Sequence, residues 1–171
     1  VHTPPGRELL DVFLFDVAGL EASWTPGSFV DEAIEAVQAT VGPDEHVICG
    51  LSGGVDSSVA SLLCHRALGE RLTCIFVDNG LLRQNEARHV EQMMGDHFNL
   101  NLVCVDAREE FLSQLAGVTD PEQKRKIIGR VFIEVFERHA AAVHNAKYLV
   151  QGTLYPDVIE SGAAKTKKAT T

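Results

Sequence analysis

A doubly wound α/β fold with a parallel sheet is what this sequence predicts, on three observations. Apolar runs alternate with helical patterns from His46 onward. The runs "HVICGL" (46–51), "LTCIFVD" (72–78), "LNLVCVD" (100–106) and "KYLVQG" (147–152) are apolar almost throughout. Strands of that kind belong to sheets covered on both faces. Strand–helix alternation, in turn, builds parallel, right-handed βαβ units.

The elements follow in order. Leu9, Leu10, Phe13, Leu14 and Val17 fall at helical spacing, and Gly19 stops that piece. "EASWTPGS" (21–28) reads as a linker punctuated by Pro26 and Gly27. Ser28, with Asp31 three residues on, has the pattern of a capping box opening a helix. Val30, Ala33, Ile34, Val37 and Val41 line one face of it, and Gly42–Pro43 end it. Between the strands, helices are expected over Val55–Leu68, closed by Gly69, over 85–95, closed by Gly95, and over 108–115. Asp120, Pro121 and Gln123 start a long helix whose core face is Ile127, Ile128, Val131, Phe132, Val135 and Phe136.

Composition bounds the function. The 171 residues suffice for one domain with a core, and 45% hydrophobic with 23% charged residues is ordinary globular usage. The net charge of −9 excludes a general nucleic-acid or membrane-surface binder, which needs a basic face. No run approaches the ~18 apolar residues of a membrane span. "VHTPPGRELL" lacks signal-peptide architecture. Cys49, Cys64, Cys74 and Cys104 form no CxxC pair. Three of them sit in apolar runs, where a thiol serves as a small hydrophobe, and the cytoplasm is the expected compartment. A redox or sulfur-transfer role would need a thiolate in an exposed basic setting. The seven histidines show no ligand spacing.

In open α/β sheets ligands bind beyond the carboxyl ends of the strands. At the first such end lies "CGLSGGVDSSVASLL" (49–63). Ser52, Gly53, Gly54, Val55, Asp56 and Ser57 link strand to helix. Glycines let the backbone approach a ligand, and the helix start offers unpaired N–H groups, so the loop suits an anion such as phosphate. The lysine of the common phosphate loop is absent, and so is the G-x-G-x-x-G dinucleotide pattern. Asp56 beside phosphates requires a cation between them, and Mg²⁺ fits. That combination suits attack at the α-phosphorus of ATP with release of pyrophosphate. A helix-capping role for Asp56 is the alternative.

S-G-G-V-D-S is the signature of the N-type ATP pyrophosphatases, which this chain resembles. "FVDNGLLRQNE" (76–86), "DPEQKRKIIGRVFIEVF" (120–136) and "QGTLYPDVIESG" (151–162) resemble, in the same order, the ATP-pyrophosphatase domain of the glutamine-hydrolysing GMP synthetases. "VHTPPGRELLDVFLFD" resembles the segment that leaves their glutamine amidotransferase domain. The resemblance implies an adenine nucleotide alpha-hydrolase-like fold and a C–N ligase. ATP adenylates xanthosine 5′-monophosphate (XMP), pyrophosphate leaves, and ammonia displaces AMP to give GMP. It implies that residues 52–57 hold the ATP phosphates, that Asp56 helps hold Mg²⁺, and that Val77, Asp78, Gly152 and Thr153 line the ATP pocket. Lys124, Arg125 and Lys126 lie in the first turns of a helix, where cations oppose the dipole. The resemblance assigns them to XMP, Arg125 foremost, and a solvated charged face is the alternative. Asp157 and Glu160 are candidates for Mg²⁺ or for loop positioning, with turn chemistry around Pro156 as the alternative.

On this reading residues 1–27 are a linker after an amidotransferase domain, 28–162 the ATP-pyrophosphatase domain, and 163–171 a tail. The family's amidotransferase, lid and dimerisation regions have no counterpart here, so the chain is expected to be part of a longer, homodimeric enzyme. The other readings kept open are a nucleotide-binding module without turnover and a sister enzyme such as NAD synthetase or a tRNA-modifying enzyme.

Overall fold

A computed structural model describes residues 5–23 and 25–152. The chain divides into two compact units, Val1–Ala33 and Ile34–Thr171.

In the first unit, helix α1 (Gly6–Asp11) continues as a wide π-type turn over Val12–Val17, and Gly19 reverses the chain at φ +64°. Helix α2 (Pro26–Thr40), which belongs to the first unit only as far as Ala33, begins before the expected Ser28. Thr25 caps it: the Ser28 N–H donates to Thr25 Oγ1 at 3.0 Å, and the Thr25 N–H donates to Ser28 Oγ at 3.0 Å. The reciprocal box is therefore Thr25/Ser28 rather than Ser28/Asp31. Pro26 takes the first helical position, where its missing N–H costs nothing.

The second unit carries a four-stranded parallel sheet in the order β3-β2-β1-β4: β1 His46–Leu51, β2 Leu72–Asp78, β3 Leu102–Asp106 and β4 Ala146–Val150. The connecting helices are α3 (Val55–Leu68), α4 (Glu86–Val90, continued as a π-type turn over Glu91–His97), α5 (Arg108–Leu115) and α6 (Pro121–Ala140). Gly95 does not end its helix. A side chain there would only touch Leu102 of β3, and the reversal falls at Asn99, φ +53°.

Strand alternation sorts the core into two layers. Val47, Cys49, Leu51, Leu72, Cys74 and Phe76 pack with Cys64, Leu68, Val90 and Met94 on one face. Ile75, Val77 and Val105 pack with Phe111, Val131 and Val135 on the other. The two-sided cover expected from apolar strands holds for β2 alone, which is buried except at Asp78. On the second face Leu149 of β4 is 55% exposed. The reason is placement: α5 and α6 cover β2 and β3, and no described helix crosses β4 there.

Asp120 caps α6, accepting from the Gln123 N–H at 2.8 Å. Asp120→Ala is expected to cost about 1 kcal/mol, read as a melting temperature about 2–4 °C lower.

Cys49 and Cys74 are register partners on β1 and β2, buried and unoxidised, and Cys64 is buried nearby. The hydrogen bond to Cys49 together with burial pushes the Cys74 thiol up, and burial pushes Cys64 up. Both therefore serve as packing thiols. Cys104 departs from the expected packing role, because its strand lies at the sheet edge and leaves it exposed.

Candidate functional site

The chain passes β1, β2, β3 outward on one side of β1 and returns to β4 on the other. The crevice between β1 and β4 is thus the topological switch point, where ligands of doubly wound sheets bind. At its mouth the phosphate-loop candidate runs from Leu51 to the start of α3. Gly53 has φ +77°, a region side chains avoid, and a Cβ there would fall 2.9 Å from Val90 Cγ2. Gly54 is the N-cap of α3.

The loop is tied to itself through hydroxyls. The Ser52 N–H donates to Ser57 Oγ at 3.2 Å, the two hydroxyls lie 3.0 Å apart, and the Gly54 N–H donates to Ser52 Oγ at 3.3 Å. The Ser58 hydroxyl donates to the Gly54 carbonyl at 2.8 Å. Asp56 stands in the first turn of α3 and is exposed. The N-cap residue is Gly54, which has no side chain to cap with, and Asp56 in the first turn lies where an acid complements the helix dipole. Among the described residues its carboxylate has no hydrogen bond or ion pair. An oxygen ligand so placed, beside two hydroxyls and a helix start, fits a hard cation accompanying an anion.

From the loop a trough of about 660 Å³ extends along the open second face of β1 and β4. Ser52, Asp56, Ser57 and Gly152 form its polar end. Ile48, Gly50 and Leu149 form its floor, and Phe132, Ile133 and Phe136 of α6 its wall. Phe132 and Phe136 stack with centroids 6.1 Å apart and planes 13° from parallel. A Cβ on Gly152 would lie 3.6 Å from the Asp56 backbone, so the end of β4 runs alongside the loop. A polar cradle opening on an apolar, aromatic-walled slot is the form of a nucleotide site.

The other sequence candidates fall outside the trough lining. Val77 is 5% exposed, its side chain committed to the core. Asp78 accepts from the Gly80 N–H at 2.9 Å and lies 3.9 Å from Arg108 Nε. Arg108 chelates Asp106 through Nε at 2.8 Å and through a second nitrogen. Those hydrogen bonds lower the Asp106 carboxyl to about 2. Lys124, Arg125 and Lys126 are exposed on the first turns of α6, with Arg125 3.4 Å from Glu122. α6 runs back to the start of β4, so its N-terminus lies toward the loop's edge of the sheet. Seven residues make almost two whole turns, so Arg125 shares a helix face with Phe132, about 10 Å further along. Thr153, Asp157 and Glu160 lie outside the described residues. Among those described, no cluster of three or more His, Cys, Asp or Glu side chains forms a metal site.

Sequence reasoning missed the trough wall. Phe136 packs half-buried against the core as expected, but Phe132 does not: Val131 and Val135 fill the core at 1% exposure while Phe132 remains 37% exposed. The width of the α6 stripe was the available signal. Ile133 lies beyond the arc one sheet contact needs, and an over-wide stripe has a second surface to serve.

Comparisons with known proteins bear on the same residues. A family model described as NAD synthase matches residues 29–130. GMP synthase [glutamine-hydrolyzing] of Aeromonas hydrophila is 60% identical over 168 residues, 98% of this chain and 32% of that protein. The protein of that name from Shewanella amazonensis is 58% identical over the same shares. The chain thus spans about a third of the length of these curated relatives, at 32%. Among solved structures, an NH3-dependent NAD synthetase from Campylobacter jejuni in complex with the nitrate ion aligns with TM-score 0.60 at 15% identity, covering 84% of this chain and 74% of its own. NMN synthetase from Francisella tularensis aligns with TM-score 0.62 at 16% identity, covering 83% and 71%. At such identities these two carry the fold alone, and the fold agrees with the parallel doubly wound sheet expected. No described helix is long and apolar enough to cross a membrane.

Proposed function

Because the chain belongs to the NAD synthase family, we propose that it is the ATP-pyrophosphatase part of a glutamine-hydrolysing GMP synthase. The observation that carries this reading is the S-G-G-V-D-S loop at the switch point, opening on an apolar trough of about 660 Å³. Relatives named GMP synthase at 58–60% identity favour this member of the family.

In this reading the loop N–H groups and the Ser52 and Ser57 hydroxyls hold the β- and γ-phosphates of ATP. The adenosine lies in the trough against Phe132 and above Gly152, while Val77, Asp78 and Thr153 stay assigned to ATP by the family resemblance alone. Asp56 holds Mg²⁺, and Asp157 is its candidate partner ligand. When bound, Mg²⁺ neutralises charge on the departing pyrophosphate. The purine oxygen of XMP attacks the α-phosphorus, the bond to the β-phosphate oxygen breaks, and pyrophosphate leaves. Ammonia then attacks the adenylated carbon and AMP leaves with the oxygen. In the longer protein an amidotransferase domain supplies the ammonia. The chain's own residues orient and desolvate, and preorganised donors at the leaving group supply the stabilisation.

Arg125, flanked by Lys124 and Lys126, is the XMP-side candidate. Its ion pair with Glu122 is solvent-exposed and holds it weakly, leaving the guanidinium available for a phosphate. Arg125→Ala is expected to weaken XMP binding about tenfold and to leave ATP affinity unchanged. Unchanged XMP affinity removes this helix from the substrate site.

The test is calorimetric titration with Mg-ATP, alone and with XMP. Saturable ATP binding that tightens with XMP supports the reading. Absence of ATP binding at millimolar concentration overturns it for this chain. Binding indifferent to XMP favours a sister adenylating enzyme, to which the family description also applies.

A further inference from the structure

We propose that Val90, the last residue of α4, is a positioning residue that seats the phosphate loop from behind. This deepens the ATP reading and rests on it. A Cβ on Gly53 would lie 2.9 Å from Val90 Cγ2, 3.9 Å from Glu86 Oε1 and 4.0 Å from Phe76 Cε2. The loop apex therefore lies so near the Val90 methyl that no side chain fits between them. Val90 is 4% exposed and Phe76 2%, so the surface under the loop is core.

α4 is itself fixed. Glu86 Oε2 accepts from the Arg83 N–H at 2.8 Å, and the Glu86 N–H donates to the Arg83 carbonyl at 3.0 Å, which locks the first turn. On the β4 side Gly152 leaves room for a Cβ, which would meet the Asp56 backbone at an ordinary 3.6 Å. The tight approach to the loop is therefore the one from α4.

A phosphate cradle made of backbone N–H groups binds only when those groups converge. A glycine pair has the most conformational freedom to lose on ordering. A neighbour that removes this freedom before the ligand arrives raises affinity by preorganisation. Val90 is not among the residues lining the trough, so its effect is expected at the phosphate end.

The experiment compares the whole chain with Val90→Ala and Val90→Thr, the latter retaining the branched shape at Cβ, with a hydroxyl in place of the methyl that faces Gly53. Inorganic pyrophosphate, Mg-ATP and adenosine are titrated separately. Val90→Ala is expected to lose about tenfold in pyrophosphate and ATP affinity and to keep adenosine affinity. Val90→Thr is expected to restore the wild-type values. Amide exchange at Ser52–Gly54, measured without ligand, should quicken in Val90→Ala and not in Val90→Thr. Unchanged pyrophosphate affinity and unchanged exchange in Val90→Ala overturn the proposal while the ATP reading stands. Equal losses for adenosine and pyrophosphate overturn it too, because they report general destabilisation. If the wild-type chain binds neither pyrophosphate nor ATP, the ATP reading falls and the positioning role falls with it.

Discussion

Asp56→Asn leaves the chain folded and weakens Mg-ATP binding roughly a hundredfold or more, about 2.7 kcal/mol. The substitution keeps size and shape and removes one charge. Asp56 is exposed and, among the described residues, makes no hydrogen bond, so the change in folding stability stays within about 0.3–1 kcal/mol, the contribution of an acid in a first helical turn. A purely helix-dipole role would give that small loss alone. The melting temperature would then fall and ATP affinity would persist. Titration with ATP at several Mg²⁺ concentrations separates the two. The affinity of wild type should rise with Mg²⁺, and that of Asp56→Asn should not. Equal Mg²⁺ dependence in both would remove Asp56 from the metal site.

The strand–helix frame was legible because it rests on local chemistry. β1, α3 and β2 lie where the sequence puts them, since Gly69 must end α3 at φ +59° and apolar runs of six or seven residues leave few registers. The phosphate-loop candidate was legible for the same reason: six consecutive residues hold the signature. The features missed depend on what packs where. The width of the α6 stripe hints at a second surface but does not say which of Val131 and Phe132 serves it, and only the placement of α6 over β2 sends Val131 inward and Phe132 to the trough. Cys104 sits in a run as apolar as that of Cys74, yet β3 is an edge strand and β2 is not. The start of α2 was misplaced because Thr25 and Ser28 both suit a cap, and Pro26 between them decides for Thr25.

Phe111→Ala is expected to give the largest loss of stability. Phe111 is fully buried on α5, among Ile75, Val77 and Val105 of the sheet and Val131 and Val135 of α6. Removing a buried phenylalanine side chain costs about 3–5 kcal/mol, a large part of the roughly 5–15 kcal/mol that holds a domain folded. For a chain of this size the melting temperature should fall by about 6–20 °C. The same cluster holds α6 against β2, and α6 is the wall of the trough. ATP binding should therefore fail at 37 °C and return near 15 °C, around the usual stability maximum. Asp56→Asn, which removes a ligand contact and not the fold, should stay impaired at both temperatures. Calorimetric melting with ATP titration at the two temperatures reads both effects. If Phe111→Ala melts within 2 °C of wild type, this layer does not hold α6 in place, and the trough wall is supported from elsewhere.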